Sequence, residues 1–189
     1  MNDLPHLREI FDALKRGRHL GPDDEPMFSA LISDYEAYAL YFAPLGLKVV
    51  QHERDFFYFD PELPDKVPET LPRIAAFAYI LVDHAANQGR SVEEFILGEN
   101  FLLSALPHFS LDRYSSLLRQ VEVHDTSDLR NILQNLERIG WLKWLGDDQQ
   151  EFRFLRPFHR VFSKCLELSR QTQQAAAVVQ PQSSGEEKR

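Results

Sequence analysis

The stretch Leu47–Phe59, LKVVQHERDFFYF, decides the fold. Two apolar runs, Leu47–Val50 and Phe56–Phe59, flank the polar segment Gln51–Asp55. Short β-prone runs around a polar turn specify a β-hairpin. Alternation assigns Val49, Phe57 and Phe59 to one face and Lys48, Val50, Phe56 and Tyr58 to the other. The second face carries more apolar groups than a solvated hairpin needs, so another surface is expected to cover part of it.

Helical patterns precede this hairpin. Leu4, Leu7, Ile10, Phe11 and Leu14 fall on one helical face, and Gly17 follows Lys15 and Arg16 as a stop. Asp23 or Asp24 is the expected cap of a second helix bearing Met27, Phe28 and Leu31. Ser33 or Asp34 caps a third, with Tyr35, Tyr38, Ala39, Phe42 and Leu45 at helical spacing, and Gly46 ends it. Asp60–Pro72, with four prolines and four acids, is a linker or capping loop.

The same order then returns. A long apolar helix is predicted over Leu71–Ala86, and a capping box of Ser91 and Glu94 opens a short helix with Phe95 and Ile96. Phe101–Leu106 and Leu111–Leu118 are predicted as helical pieces around Pro107. Thr126 or Ser127 caps Leu129–Ile139, in which Leu129, Ile132, Leu133 and Leu136 form one stripe and Gly140 is the stop. Trp141–Leu145 and Phe152–Leu155 make a second hairpin around Gly146–Asp148, and Pro157 opens a last helix to about Arg170. Helices closed by a hairpin, twice over, predict a mainly α chain with short β-hairpins (α+β), a tandem winged helix. The expected divisions are 1–62, an N-terminal winged-helix domain used for dimerisation, 63–170, a C-terminal winged-helix domain, and 171–189, a disordered tail low in bulky apolar residues.

Composition narrows the function classes. The 189 residues are 43% hydrophobic and 26% charged, as in soluble globular proteins. No apolar run reaches the roughly 20 residues of a membrane span, and the N-terminus lacks a signal-peptide pattern, so a cytoplasmic protein is expected. The single cysteine, Cys165, reads as a small core thiol. The net charge of −8 is uneven: residues 1–70 carry 7 basic and 14 acidic groups, residues 71–170 carry 12 and 13. Avid independent nucleic-acid binding is disfavoured, while the nearly neutral second half leaves room for a local basic patch.

Catalysis finds no motif. The seven histidines show no metal-ligand spacing, and there is no Gly-rich phosphate loop and no GxSxG. No cofactor, metal or catalytic residue is expected. The helix after Thr126 is instead a candidate DNA reader, because its outer face carries Arg130, Asn131, Gln134 and Arg138. Lys143, Arg153 and Arg156 on and beside the second hairpin would add phosphate contacts, with Arg160 beyond them. Acids are interspersed, so a solvated face with i,i+4 pairing is the competing interpretation, and any DNA contact should be weak and salt-sensitive. In the first half, Tyr35, Tyr38, Tyr41, Phe42, Phe56 and Tyr58 give more aromatic surface than one small core needs, which suggests a dimer or partner interface. The competing interpretation is that the second half covers it.

The run from Ile10–Phe11 through RGRHLGPDDEPMFSAL and YFAPLGLKVVQHERDFFYF resembles the MksE/MukE subunits of bacterial SMC-type condensins. These are kite proteins, tandem winged-helix partners of kleisins. The resemblance covers residues 5 to about 165 and is clearest over 7–60. It implies a homodimer, binding to an MksF/MukF-like kleisin, and through it to an MksB/MukB-like SMC ATPase. It also implies a nucleoid-associated role in chromosome organisation and segregation, or in plasmid defence. The rivals from the residues alone are a winged-helix transcription regulator that binds a specific duplex by itself, and an unrelated helical adaptor, from which real hairpins after residues 46 and 140 would distinguish this chain.

Overall fold

The computed structural model describes residues 4–60 and 70–161. The anticipated tail 171–189, Cys165 and most of the last predicted helix lie outside the described residues. The first half contains α1 (Leu7–Lys15), α2 (Met27–Ser33), α3 (Tyr35–Phe42), β1 (Lys48–His52) and β2 (Phe56–Asp60). The second contains α4 (Thr70–Asn87), α5 (Val92–Gly98), β3 (Asn100–Leu102), α6 (Asp112–Gln120), α7 (Thr126–Arg138), β4 (Leu142–Trp144) and β5 (Glu151–Phe154). The chain is mainly helical with short antiparallel strand pairs, as its residue pattern predicts.

Both predicted hairpins form. β1 and β2 pair from Lys48↔Asp60 to His52↔Phe56, which puts Val49, Phe57 and Phe59 on one face as alternation requires. Gly46 and Gly140 adopt left-handed backbone, φ 71° and 74°, where a side chain would be strained, and each separates a helical segment from the hairpin. β4 and β5 pair from Leu142↔Phe154 to Trp144↔Phe152.

Three details differ from expectation. Phe101–Leu106 is not a helix: Asn100–Leu102 is β3, paired with β5, followed by a short 3₁₀ turn at Leu103–Ala105. The second sheet therefore runs β3-β5-β4, with β5 central. The cap of α7 is Asp125, whose carboxylate accepts from the Asp128 amide at 3.0 Å, while Asp128 accepts in return from the His124 amide at 2.8 Å. Asp24 does not cap α2: its carboxylate is buried and takes Arg18 Nη2 at 2.6 Å and the Gly21 amide at 3.0 Å.

Two apolar clusters hold the chain. The first gathers Ile10, Leu14, Leu20, Leu31, Tyr38, Phe42, Val49 and Phe57. The second runs from Ile74 on α4, through the α7 stripe Leu129, Ile132, Leu133 and Leu136, to Trp144, Phe152, Phe154 and Phe158. Each full burial of such a side chain contributes about 1.5–3 kcal/mol of transfer free energy. The core strands of the second sheet face α7 with Leu142, Trp144, Phe152 and Phe154, so the opposite face is left with Asn100, Lys143 and Arg153.

Candidate nucleic-acid and partner surfaces

Because α7 packs on the inner face of the second sheet, its outward side and the sheet's outer face turn away from each other. They approach at the end of α7, where Arg138 and Lys143 line one depression. Asn131, Gln134 and Arg138 are exposed on α7, and Arg138 touches Asn135 Oδ1 at 3.4 Å. Arg130 is drawn inward: Nη1 donates to the Gln149 carbonyl at 2.9 Å, and the guanidinium lies 6.0 Å from the Trp144 ring centre. It ties the helix to the hairpin loop and is less available than its neighbours. Lys143 and Arg153 are cross-strand partners pointing outward. Arg156 follows β5 and is exposed. The structure thus brings Arg138 of α7 to Lys143 and its partner Asp23, which line that depression with it, whereas Asn131 lines another beside Arg73 of α4.

The cations of the sheet are not free. Asp23 Oδ1, from the first half, lies 2.6 Å from Arg153 Nη2 and 3.4 Å from Lys143 Nζ. Asp55, at the tip of the first hairpin, lies 2.6 Å from Arg156 Nη1. Arg54 on the same tip reaches Glu93 on α5 at 2.5 Å. No sequence pattern announces these pairs, whose partners stand 39 to 130 residues apart.

His19 sits where the halves meet. Its amide donates to the Ile139 carbonyl at 2.9 Å, and its ring lies 5.4 Å from Tyr58 and 5.5 Å from Trp141. Trp141 Nε1 donates to Nδ1 at 3.1 Å, and Arg160 Nη1 lies 2.7 Å from Nε2. A neutral imidazole has one bare nitrogen, so these two donors compete for it. Burial, and then the Arg160 guanidinium, push His19 down to about 3, so the ring is neutral at physiological pH. Arg160 also covers the Tyr58 ring at 4.0 Å. A Cβ on Gly140 would stand 2.4 Å from the His19 carbonyl oxygen, so glycine is required for this approach as well as for its φ.

The predicted interface residues divide. Tyr38, Phe42 and Phe56 are fully buried by the chain itself and leave no surface for a second chain. Tyr38 donates to the Pro5 carbonyl, and Phe56 stacks on His52 at 4.2 Å and packs beside His19. Tyr58 belongs to the His19 junction. The apolar second face of the first hairpin is thus met by His19 of its own half and by Arg160 of the other. Tyr35 is half-buried, its hydroxyl donating to the Val49 carbonyl at 2.9 Å. Tyr41 is exposed, with Leu40, Leu45 and Ile32 also exposed on α2, α3 and the turn that follows. A groove of about 600 Å³ opens there, lined by Tyr35, Ala39, Leu40, Ala43, Leu47 and Val49 among others.

Among the described residues no three His, Cys, Asp or Glu gather as a metal site, and no helix is long and apolar enough to cross a membrane. His84 meets Gln88 Nε2 at 2.9 Å, a local contact on α4.

The chain belongs to the MksE family of condensin complex proteins, whose pattern it matches over residues 5–166. It is 22% identical to the chromosome partition protein MukE of Shigella flexneri, covering 82% of this chain and 74% of that one. It is 25% identical to the MukE of Yersinia pseudotuberculosis over 78% of this chain and 67% of the other. For the MukE of Pectobacterium atrosepticum the identity is 24%, with 78% and 68% covered.

Proposed function

We propose that this protein is a non-catalytic accessory subunit of a bacterial SMC-type condensin, in which it dimerises, binds the kleisin and helps hold DNA near the ATPase heads. The family match across nearly the whole described chain carries this reading. Each helix-and-hairpin half is read as a winged helix. The order β3-β5-β4, with α6 and α7 between β3 and β4, supports that reading for the second half. The exposed Leu40, Tyr41 and Leu45 beside the apolar groove support an interface between copies or with the kleisin. Asn131, Gln134, Arg138, Lys143 and Arg153 support weak backbone-directed DNA contact, with Arg130 in a bracing role. Chromosome segregation and plasmid defence both fit such a subunit.

Purification of the tagged protein from its native cells is the test. A kleisin and a large coiled-coil ATPase should co-purify in fixed ratio. A protein that emerges alone and binds one duplex sequence at nanomolar affinity would instead be a transcription regulator.

A further inference from the structure

Two neighbouring acids, Asp23 and Asp24, have opposite roles. Asp24 is buried and shapes the loop through Arg18 and the Gly21 amide. Asp23 points away from that loop, onto the outer face of the second sheet. One of its oxygens meets both Lys143 and Arg153, each about half exposed. Asp55 does the same for Arg156 from the first hairpin's tip. The sheet's own acid on that face, Glu151, is occupied by the Asn100 amide at 3.0 Å instead. The acids that neutralise these cations therefore come from the other half of the chain.

We propose that Asp23 and Asp55 are built-in phosphate surrogates, which keep the cationic face of the second hairpin neutralised until a nucleic-acid backbone displaces them. This rests on the reading that this face contacts DNA. A carboxylate and a phosphate offer the same kind of anionic oxygen to guanidinium and ammonium donors, so one replaces the other without rebuilding the site. The exchange is easy because ion pairs whose cations are about half exposed hold little stability. The halves do not depend on these pairs for their docking: the His19 amide bond to Ile139, the Trp141 indole set edge-on against the His19 ring, Arg160 over Tyr58 and the close approach at Gly140 remain when Asp23 and Asp55 let go. The arrangement explains how a chain with outward cations on a sheet can bind DNA weakly when alone. A partner that draws the 21–24 loop or the hairpin tip aside would unmask the face.

The test is a salt titration of a random-sequence 40-base-pair duplex against the full chain, read by fluorescence anisotropy. Asp23→Asn with Asp55→Asn should tighten binding, up to about tenfold at 0.1 M salt for each phosphate that the released cations engage, and steepen the log–log salt slope by about 0.9 for each. Lys143→Gln with Arg153→Gln should weaken binding. Glu9→Gln with Asp112→Asn makes the same change of net charge at exposed sites away from the second hairpin and from the groove, and should have a much smaller effect. If this control matches the Asp23/Asp55 variant, the tighter binding is an effect of global charge and the proposal is wrong. If the lysine–arginine variant weakens binding while the Asp23/Asp55 variant equals wild type, the DNA face stands and the surrogate role fails. If neither pair changes affinity or slope, the DNA-face reading fails and the proposal goes with it.

Discussion

The two hairpins are built alike and used differently. Each follows a left-handed glycine and presents one apolar face to its own helices. On the first, the other face is also occupied: Phe56 is fully buried, and Tyr58 is stacked between His19 and Arg160. On the second, the other face carries Lys143, Arg153 and Asn100 outward, held only by half-exposed pairs. The first hairpin is a brace inside the molecule. The second is a face turned outward. The hairpins' own residues specify that difference, Phe56 and Tyr58 against Lys143 and Arg153, but not which parts of the chain stand opposite them.

The contrast is sharpest in stability. Phe56→Ala should lower the unfolding free energy by roughly 3–4 kcal/mol, as for other buried aromatic deletions. Arg153→Ala should cost under about 1 kcal/mol, because its pair is surface-screened. Urea unfolding of both variants measures this, and equal losses would erase the distinction. Gly140→Ala should destabilise by about 2–3 kcal/mol, through positive φ and the collision with the His19 carbonyl.

Acid should weaken the brace in particular. His19 is held at about 3 in the fold, below its ordinary 6.5, so between these values the unfolded chain binds a proton that the folded chain refuses. Stability is full above about pH 6.5 and falls as the pH drops toward 3. His108, pushed down to about 4 by burial against Phe77, adds to the same slope. His19→Gln should flatten the decline of stability between pH 6.5 and 4, leaving the part that His108 contributes. An unchanged slope would show that His19 is protonated in the fold. The smallest effect on stability is expected outside the junction. Leu40→Asp with Tyr41→Asp should leave unfolding within about 0.5 kcal/mol of wild type, as exposed sites usually do. Sedimentation equilibrium should nevertheless shift toward monomer if this face joins two copies.

The helix-then-hairpin order is legible in the residues because its signals are local. Alternation in Leu47–Phe59, the α7 stripe and the glycine stops each act within a few residues. β3 is not legible: Asn100–Leu102 is only three residues long and becomes a strand by pairing with β5, about fifty residues later. The α7 cap stands one or two residues before its expected place because HDTSD offers several cap-forming side chains in a row. The aromatic excess of the first half does need cover, but for Tyr38, Phe42 and Phe56 the cover is the chain itself and not a partner. Counting aromatics reveals a demand for contact and not its direction. The roles of His19, Asp23 and Asp55 rest on contacts more than a hundred residues away, and no local spacing encodes those.

The central place of β5 also bears on how the chain is made. β1 and β2 pair across at most twelve residues, so this hairpin can close as soon as it leaves the ribosome. β3 must wait for β5, and the outer strand β4 has no neighbour until β5 arrives. The second half therefore completes its sheet only near the end of the described chain, when the first half is already in place. Trp141 then meets a finished His19 surface, so the earlier half serves as the template on which the later one completes itself.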